Sequence, residues 1–209
     1  MSSMKSIQDQ ILARIHGRGR GGIHVPADFL DLGSRAAVDQ ALARLAKTGR
    51  IRRITRGVYD FPKRQPKLGM LSPSLALVAA AIARSTGSQL QISGAQAANR
   101  LGLSSQVPVR SVYLTDGPTR TIQVGSRAID FRHTAPRTLT GAGTAAGLVI
   151  QALRHLGRGG GTPDVVAKIR STLQEDDRKV VAKHVSGAPA WMRPLLLQIA
   201  DEPTAQVAA

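Results

Sequence analysis

Apolar residues near the start of the chain recur at the spacing of an amphipathic helix. Ile7, Ile11 and Ile15 are four residues apart, which predicts a first helix over residues 4–16. The glycine-rich run GRGRGG that follows ends this helix. The next segment, residues 25–33, has a proline near its start and a glycine at its end, so it predicts a short second helix.

A third helix is predicted from residue 35 to residue 47, with Ser34 as its N-cap. Val38, Leu42 and Leu45 follow the spacing i, i+4, i+7 and form its buried stripe. Small, polar and basic residues occupy the opposite side of this helix. This outward face consists of Ala36, Gln40, Ala43 and Lys47, with Arg44 at its edge.

The segment GRIRRITRGVYDFPKR, residues 49–64, crowds six cations around β-branched and aromatic residues. Its composition predicts two strands joined by a turn at Arg56-Gly57. Ile51 and Ile54 are three residues apart rather than two, so a bulge is expected in the first strand. Three helices followed by a strand, a turn and a strand is the order of a winged helix-turn-helix, with the basic hairpin as its wing.

Residues beyond the wing predict a larger mixed region. Helices over 73–86 and 94–102 flank a short strand at 90–93, three strands lie between 109 and 134, and the chain is helical from about residue 139. We therefore predict an α+β protein: an N-terminal winged helix-turn-helix followed by a larger mixed α/β domain with a short sheet and a helical C-terminal part. The predicted division is 1–62 for the winged helix, 63–67 for a linker and 68–209 for the C-terminal domain.

Basic residues far outnumber acidic ones. The chain has 29 Lys and Arg against 13 Asp and Glu, a net charge of +16. Residues 1–67 hold 14 of the basic and 5 of the acidic residues, so the charge density is highest there. Such a surplus favours a polyanionic partner, most simply nucleic acid. A generally basic composition without a dedicated interface is the alternative.

Other functional classes find little support in the sequence. The chain has no cysteine, which removes disulfides and thiolate chemistry and fits the cytoplasm, and its longest apolar run, residues 75–83, is too short to span a bilayer. The five histidines lack metal-ligand spacing, and the glycine-rich runs lack the ending of a P-loop. The acidic run at 175–177 suits a helix start better than a metal, and Trp191 suits core packing better than partner contact. We predict no enzyme activity, no cofactor and no metal site.

The residues expected to contact DNA lie on the third helix and on the wing. Gln40 can pair with an adenine edge, Arg44 can bind guanine or phosphate, and Arg35 can point to backbone phosphate. The cations of the hairpin would follow a phosphate backbone and make binding steeply dependent on salt. The predicted DNA-binding residues are Arg35, Gln40, Arg44, Lys47, Arg50, Arg52, Arg53 and Arg56.

Two stretches of the chain resemble a known family. The first is DLGSRAAVDQALARLAKTGRIRRITRGVYD, within residues 21–62, and the second is QISGAQAANRLGL with the following SVYLTDGPTRTI. Both resemble the AbiEi-type antitoxins of type IV toxin–antitoxin systems, in the branch of DUF6088-like proteins. The resemblance covers most of residues 5–135.

The resemblance implies a transcriptional autoregulator with a role in phage defence. Its winged helix would bind inverted repeats in its own promoter. Its C-terminal domain would neutralise a co-expressed nucleotidyltransferase toxin, with or without direct contact. By matching position, Gln40, Arg44 and Lys47 would face the major groove. The wing arginines at positions 52, 53 and 56 would hold the wing on the backbone.

Two other functions stay open from the sequence. A general basic nucleic-acid-binding protein, or a regulator without a toxin partner, would carry the same charge. A nucleic-acid enzyme would need an acid/base or metal constellation, and the sequence offers none. Discrete inverted repeats in a footprint would separate a repressor from a sequence-blind binder. If the DNA site is palindromic, a homodimer is expected on DNA, and no membrane partner is expected.

Overall fold

The computed structural model describes residues 6–67, 69–106 and 108–200. The described residues form helices and several short sheets, which confirms the predicted α+β class. They fall into two compact units. The first unit holds the residues up to Ser88 together with Thr121–Ile129, and the second holds Gln89–Arg120 and the residues from Asp130 onward.

The first unit begins with the topology of a winged helix. Its first six elements are α1 (Ile7–Arg18), β1 (Ile23–His24), a 3-10 helix (Pro26–Phe29), α2 (Arg35–Lys47), β2 (Arg52–Thr55) and β3 (Val58–Asp60). The three strands form an antiparallel sheet of order β1-β3-β2. The predicted second helix is only a single 3-10 turn. Strand β1 was not predicted, because a strand of two residues is too short to show an alternation of apolar and polar positions.

Serine caps and an aliphatic core define the helices of this unit. Ser6 and Ser34 accept backbone N–H groups of the first turns of α1 and α2. Helix α2 therefore begins at its predicted cap, whereas the predicted start of the first helix at residue 4 lies outside the described residues. The helices pack through fully buried aliphatic side chains around Phe29. Each such side chain stabilises the fold by about 1.5–3 kcal/mol relative to its exposed state. The core residues with no exposed surface are Ile11, Ile15, Phe29, Val38 and Leu42.

The wing, which we define as the hairpin Arg52–Asp60, contains the predicted bulge. Arg53 pairs with Tyr59 and Thr55 pairs with Val58, so the register shifts between Arg53 and Thr55. The turn at the tip uses Gly57 with a φ of 71°, a conformation that glycine adopts without strain. The wing therefore twists more strongly than a regular hairpin.

The chain after the wing is ordered where a linker was predicted. Strand β4 (Arg64–Gln65) pairs with β5 (Gly69–Met70), and helix α3 (Leu75–Thr86) follows with Ser74 as its N-cap. Arg84 of this helix donates to both carboxylate oxygens of Asp28, at 3.1 and 3.2 Å. The first unit therefore continues to Ser88 rather than ending at residue 62.

The second unit combines short strands with five helices. Strand β6 (Leu90–Ile92) pairs antiparallel with β7 (Ser111–Thr115). Both belong to a sheet of order β6-β7-β9-β8, in which most of β8 (Arg120–Val124) and the start of β9 (Arg127–His133) come from Thr121–Ile129, the stretch assigned to the first unit. These strands lie where the sequence predicts them. The helices are α4 (Gly94–Arg100), α5 (Ala145–Leu156), α6 (Pro163–Thr172), α7 (Glu175–Lys183) and α8 (Arg193–Ala200).

Helix α5 is the centre of the second unit. It packs against α4 and α7 and buries seven of its twelve residues. Two buried glutamines satisfy nearby backbone groups: Gln91 accepts the N–H of Gly143 at 3.0 Å, and Gln151 donates to the carbonyl of Thr138 at 2.7 Å. A Cβ at Gly147 would lie 2.7 Å from Oε1 of Gln91, so this close approach requires glycine.

The acidic run predicted to start a helix does so. Glu175 and the two aspartates after it occupy the first turn of α7, where carboxylates interact favourably with the helix dipole. Within residues 6–67, 69–106 and 108–200, no helix combines the length and the apolar character needed to cross a membrane.

Candidate nucleic-acid interface

Helix α2 presents the two faces that its sequence predicts. Val38, Ala41, Leu42 and Leu45 are buried against the core. The opposite face is exposed along its whole length, so it is available to a partner. The exposed residues of this face are Ala36, Gln40, Ala43, Arg44 and Lys47.

The C-terminal half of α2 carries cations without acidic neighbours. Arg44, Lys47 and Arg50 are exposed, and in the described part of the chain none of them forms an ion pair. Gly49, with a φ of 70°, ends the helix, and the N–H of Arg50 donates back to the carbonyl of Leu45 at 3.0 Å. This tight ending brings Arg50 directly after the exposed helix face.

The wing adds two more exposed cations. Arg53 lies on the edge strand β2, and Arg56 lies in the turn at the tip. Neither forms an ion pair with any residue that the structure describes. A phosphate group that approaches the tip would therefore meet guanidinium groups with free donors.

Arg52 has a structural role that the sequence did not predict. Its Nε donates to Asp60 at 3.0 Å and its Nη2 donates to the same carboxylate at 2.6 Å, while Nη2 also donates to the carbonyl of Leu71. Asp60 is only 1% exposed, and its hydrogen bonds raise the pKa of Arg52. We therefore remove Arg52 from the predicted phosphate-binding residues, because its Nε and Nη2 are already bound and its charge is balanced by Asp60.

Arg35 occupies an intermediate position. It lies in the first turn of α2 and pairs with Asp39 at 3.0 Å, and both side chains are largely exposed. An exposed pair of this kind contributes about 0–1 kcal/mol. Arg35 is therefore able to exchange Asp39 for a phosphate at little cost.

Two arginines outside the predicted set lie close to the base of the wing. Arg20 places its guanidinium 4.4 Å from the ring centroid of Phe61 and donates to the carbonyl of Pro62 at 3.1 Å. Arg64 is exposed on β4. Together with Arg50 and Arg53 they line a groove of about 830 Å³. No local pattern predicts this meeting, because Arg20 lies about thirty positions before the wing.

A separate group of arginines is tied to acidic residues around β1. Arg14 forms two hydrogen bonds with Asp31, and both Arg18 and Arg84 form ion pairs with Asp28. His24 lies nearby, 1% exposed, and neither ring nitrogen has a hydrogen-bond partner among the described residues. Burial lowers the pKa of His24, and the neighbouring arginines lower it further.

Within residues 6–67, 69–106 and 108–200, no three His, Asp or Glu side chains come together at metal-binding distance. The interface is therefore described by its cations, its amide Gln40 and its two methyl-bearing alanines.

Comparison with known proteins gives one family and one solved structure of low similarity. A crystal structure of the RV2827C protein from Mycobacterium tuberculosis is similar at a TM-score of 0.41 and 17% identity, covering 94% of this chain and 78% of the other. Curated proteins give no match. The family described as "Family of unknown function (DUF6088)" matches residues 10–181, which is most of the chain and includes both the winged helix and α5. The chain therefore belongs to the DUF6088 family.

Proposed function

We propose that this protein is a DNA-binding antitoxin that represses its own operon. The observation that carries the DNA-binding half is the segregation of charge in the first unit. The C-terminal half of α2 and the exposed side of the wing carry cations without ion pairs among the described residues, whereas Asp28, Asp31 and Asp60 are each paired with other arginines of the unit. An exposed cationic helix beside a cationic hairpin is suited to a duplex.

The helix and the wing would have different tasks on DNA. The major groove is about 12 Å wide and admits an α-helix. Gln40 would pair with an adenine edge, Arg44 with guanine or phosphate, and the alanines of the same face with thymine methyl groups. Arg53 and Arg56 would bind backbone phosphates without reading sequence.

The toxin-directed half of the proposal rests on the resemblance to AbiEi-type antitoxins. The partner would be a nucleotidyltransferase toxin encoded beside this gene, neutralised through the C-terminal part of the chain with or without direct contact. The family match extends to residue 181 and so includes most of that part. A cytoplasmic location and a dimer on palindromic DNA belong to the same proposal.

A footprint on the DNA upstream of the gene tests the DNA-binding half. We expect two protected half-sites in inverted orientation, about 10 base pairs apart from centre to centre or a multiple of that spacing. A shuffled fragment of equal length and composition is the control. Equal binding to both fragments would contradict a sequence-specific repressor.

Co-expression tests the other half. The adjacent reading frame should slow growth when expressed alone, and the full-length protein should restore growth. A variant with weakened DNA binding, such as one with Arg53 and Arg56 replaced by alanine, should restore growth as well as the parent does if neutralisation belongs to the C-terminal part. Failure of the full-length protein to restore growth would contradict the antitoxin role.

A second candidate is a general nucleic-acid-binding protein without a toxin partner. It is favoured by the charge outside the winged helix, since residues 68–209 hold 15 Lys and Arg against 8 Asp and Glu. This candidate predicts affinity that grows with fragment length and ignores sequence, so the footprint separates the two functions.

A further inference from the structure

The base of the wing carries a second cationic surface. We call it the basal groove, and it is the cavity of about 830 Å³ described above. Its cations come from segments far apart in sequence: Arg20 follows α1, Arg50 and Arg53 flank the start of β2, and Arg64 lies on β4. The fold therefore brings four arginines from separate segments into one groove.

The charge of the basal groove is largely uncompensated. No acidic residue lines it, and of its arginines only Arg52 has a carboxylate partner among the described residues. Like charges that line one groove repel one another, and this repulsion disfavours the folded state. An anionic ligand would relieve that repulsion, whereas water alone only screens it.

Apolar side chains lie beside these guanidinium groups. Ile51 and Phe61 line the groove, and Met70 is 54% exposed at its edge. Arg20 is held in place by the ring of Phe61 and by the carbonyl of Pro62, so it loses little freedom when a ligand binds. The groove thus offers one fixed guanidinium group, that of Arg20, together with a small apolar surface.

The basal groove is distinct from the proposed DNA-reading face. The only α2 helix residue in its lining is Ala46, which lies about 120° around the helix from Gln40. At the wing, the groove meets the end where Arg52 pairs with Asp60, while Arg56 lies at the opposite end, in the turn. Arg50 and Arg53 are the remaining predicted DNA contacts that also line the groove, whereas Arg20 and Arg64 belong to the groove alone.

We propose that the basal groove binds a small ligand that carries a polyphosphate group. A volume of about 830 Å³ is within the range of small-molecule sites, about 300–1,000 Å³. A single phosphate brings a charge of about −2, which leaves four unpaired guanidinium groups under-compensated, whereas two or three linked phosphates match them. This inference goes beyond the proposed DNA binding and does not depend on it.

Calorimetric titration of the full-length protein tests the proposal with three probes. Inorganic tripolyphosphate and ATP should bind saturably at low salt, and AMP should bind at least about tenfold more weakly. If tripolyphosphate and ATP bind with equal affinity, the ligand of the groove is an inorganic polyphosphate chain. If ATP binds more tightly and the difference is lost when Met70 is replaced, the ligand is a nucleotide. Either result supports the groove, whereas AMP equal to tripolyphosphate, or no saturation with any probe, overturns the polyphosphate assignment.

Variants locate the site and separate it from the DNA interface. Arg50→Ala and Arg64→Ala should each weaken tripolyphosphate binding by about tenfold. Arg158→Ala, which removes an exposed arginine from the second unit, is the matched control and should bind as the parent does. Arg56→Ala should also bind tripolyphosphate normally while DNA binding weakens. Equal binding by the parent and both groove variants would overturn the proposal and leave the proposed DNA-binding function untouched.

Discussion

The basic residues of the first unit form two regions that differ in how their charge is compensated. Around β1 and β3, Arg14 pairs with Asp31 at 2.6 Å and Arg52 pairs with Asp60 at 2.6 Å, and Arg84 pairs with Asp28. On the C-terminal half of α2 and at the wing tip, no described cation has such a partner. The cations of this second region are Arg44, Lys47, Arg50, Arg53 and Arg56.

The difference shows that net charge alone does not locate an interface. Both regions are rich in arginine, and the sequence segment 49–64 mixes members of the two without a visible boundary. Arg52 and Arg53 are adjacent in sequence, yet one is bound to a buried carboxylate and the other is exposed. Paired arginines hold the winged helix together, and unpaired arginines remain for a partner.

Breaking a pair of the first region should give the largest effect. Asp60→Ala leaves the guanidinium of Arg52, 31% exposed, without its partner. We expect the free energy of unfolding to fall by about 3 kcal/mol, because removing one member of a buried pair leaves the other charge uncompensated. Urea denaturation followed by circular dichroism measures this change.

The control for this prediction is Asp39→Ala. That substitution removes the partner of Arg35 in a pair whose side chains are 62% and 48% exposed, so it should cost only a few tenths of a kcal/mol. Similar losses for the two variants would mean that the distinction between buried and exposed pairs does not hold here.

The next largest effect is expected from the amide of the exposed α2 face. Gln40→Ala should cost about 2 kcal/mol on the preferred base at one position of each half-site, because a bidentate amide–adenine contact is lost. Selection from a randomised DNA pool measures the base preference. Gln198→Ala, an exposed glutamine on α8, is the matched control. An unchanged preference would remove Gln40 from the base-reading residues.

A smaller effect, about 1 kcal/mol at moderate salt, is expected from the two exposed arginines of the wing. Replacing Arg53 and Arg56 by alanine should weaken binding to all sequences and reduce the log–log salt slope by about 0.9 for each lost phosphate contact. Arg52→Ala is the sharpest comparison, since the Nε and Nη2 of Arg52 are bound to Asp60 and Leu71 and its charge is already balanced. It should lower stability while the salt slope stays that of the parent. Equal slopes for all three proteins would contradict the assignment of the wing.

The helices and the wing of the first unit were predictable because each carries a local signal. The cap Ser34, the apolar stripe of α2 and the bulge between Arg53 and Thr55 all follow from residues a few positions apart. The shortening of the second helix to a single 3-10 turn had no such signal. Pro26 marks the start of either structure equally well.

The pairing of the arginines was not predictable for a different reason. Asp60 binds Arg52 across the hairpin, at a sequence separation of eight residues, and Asp28 binds Arg84 at a sequence separation of 56 residues. Such choices depend on strand register and on tertiary packing, and neither leaves a periodic pattern. The basal groove could not be predicted for the same reason, because it depends on the contact of Arg20 with Phe61, and these residues are distant in sequence.

The smallest expected effect is a pH dependence that originates at His24, within the region of paired arginines. Burial lowers the pKa of His24 below its ordinary value of 6.5, Arg18 and Arg84 lower it further, and Asp28 and Asp60 offset part of this. As the pH falls through about 6.5, His24 becomes protonated in the unfolded chain but stays neutral in the folded chain. The free energy of unfolding therefore declines until the pH reaches the pKa of His24 in the folded chain. Above that window His24 contributes no pH dependence. Urea midpoints between about pH 7.5 and pH 5.5 should therefore fall for the parent and stay flatter for His24→Leu. Parallel curves would show that His24 takes its proton in the folded protein as readily as in the unfolded chain, and that the acidic residues around β1 outweigh its arginines.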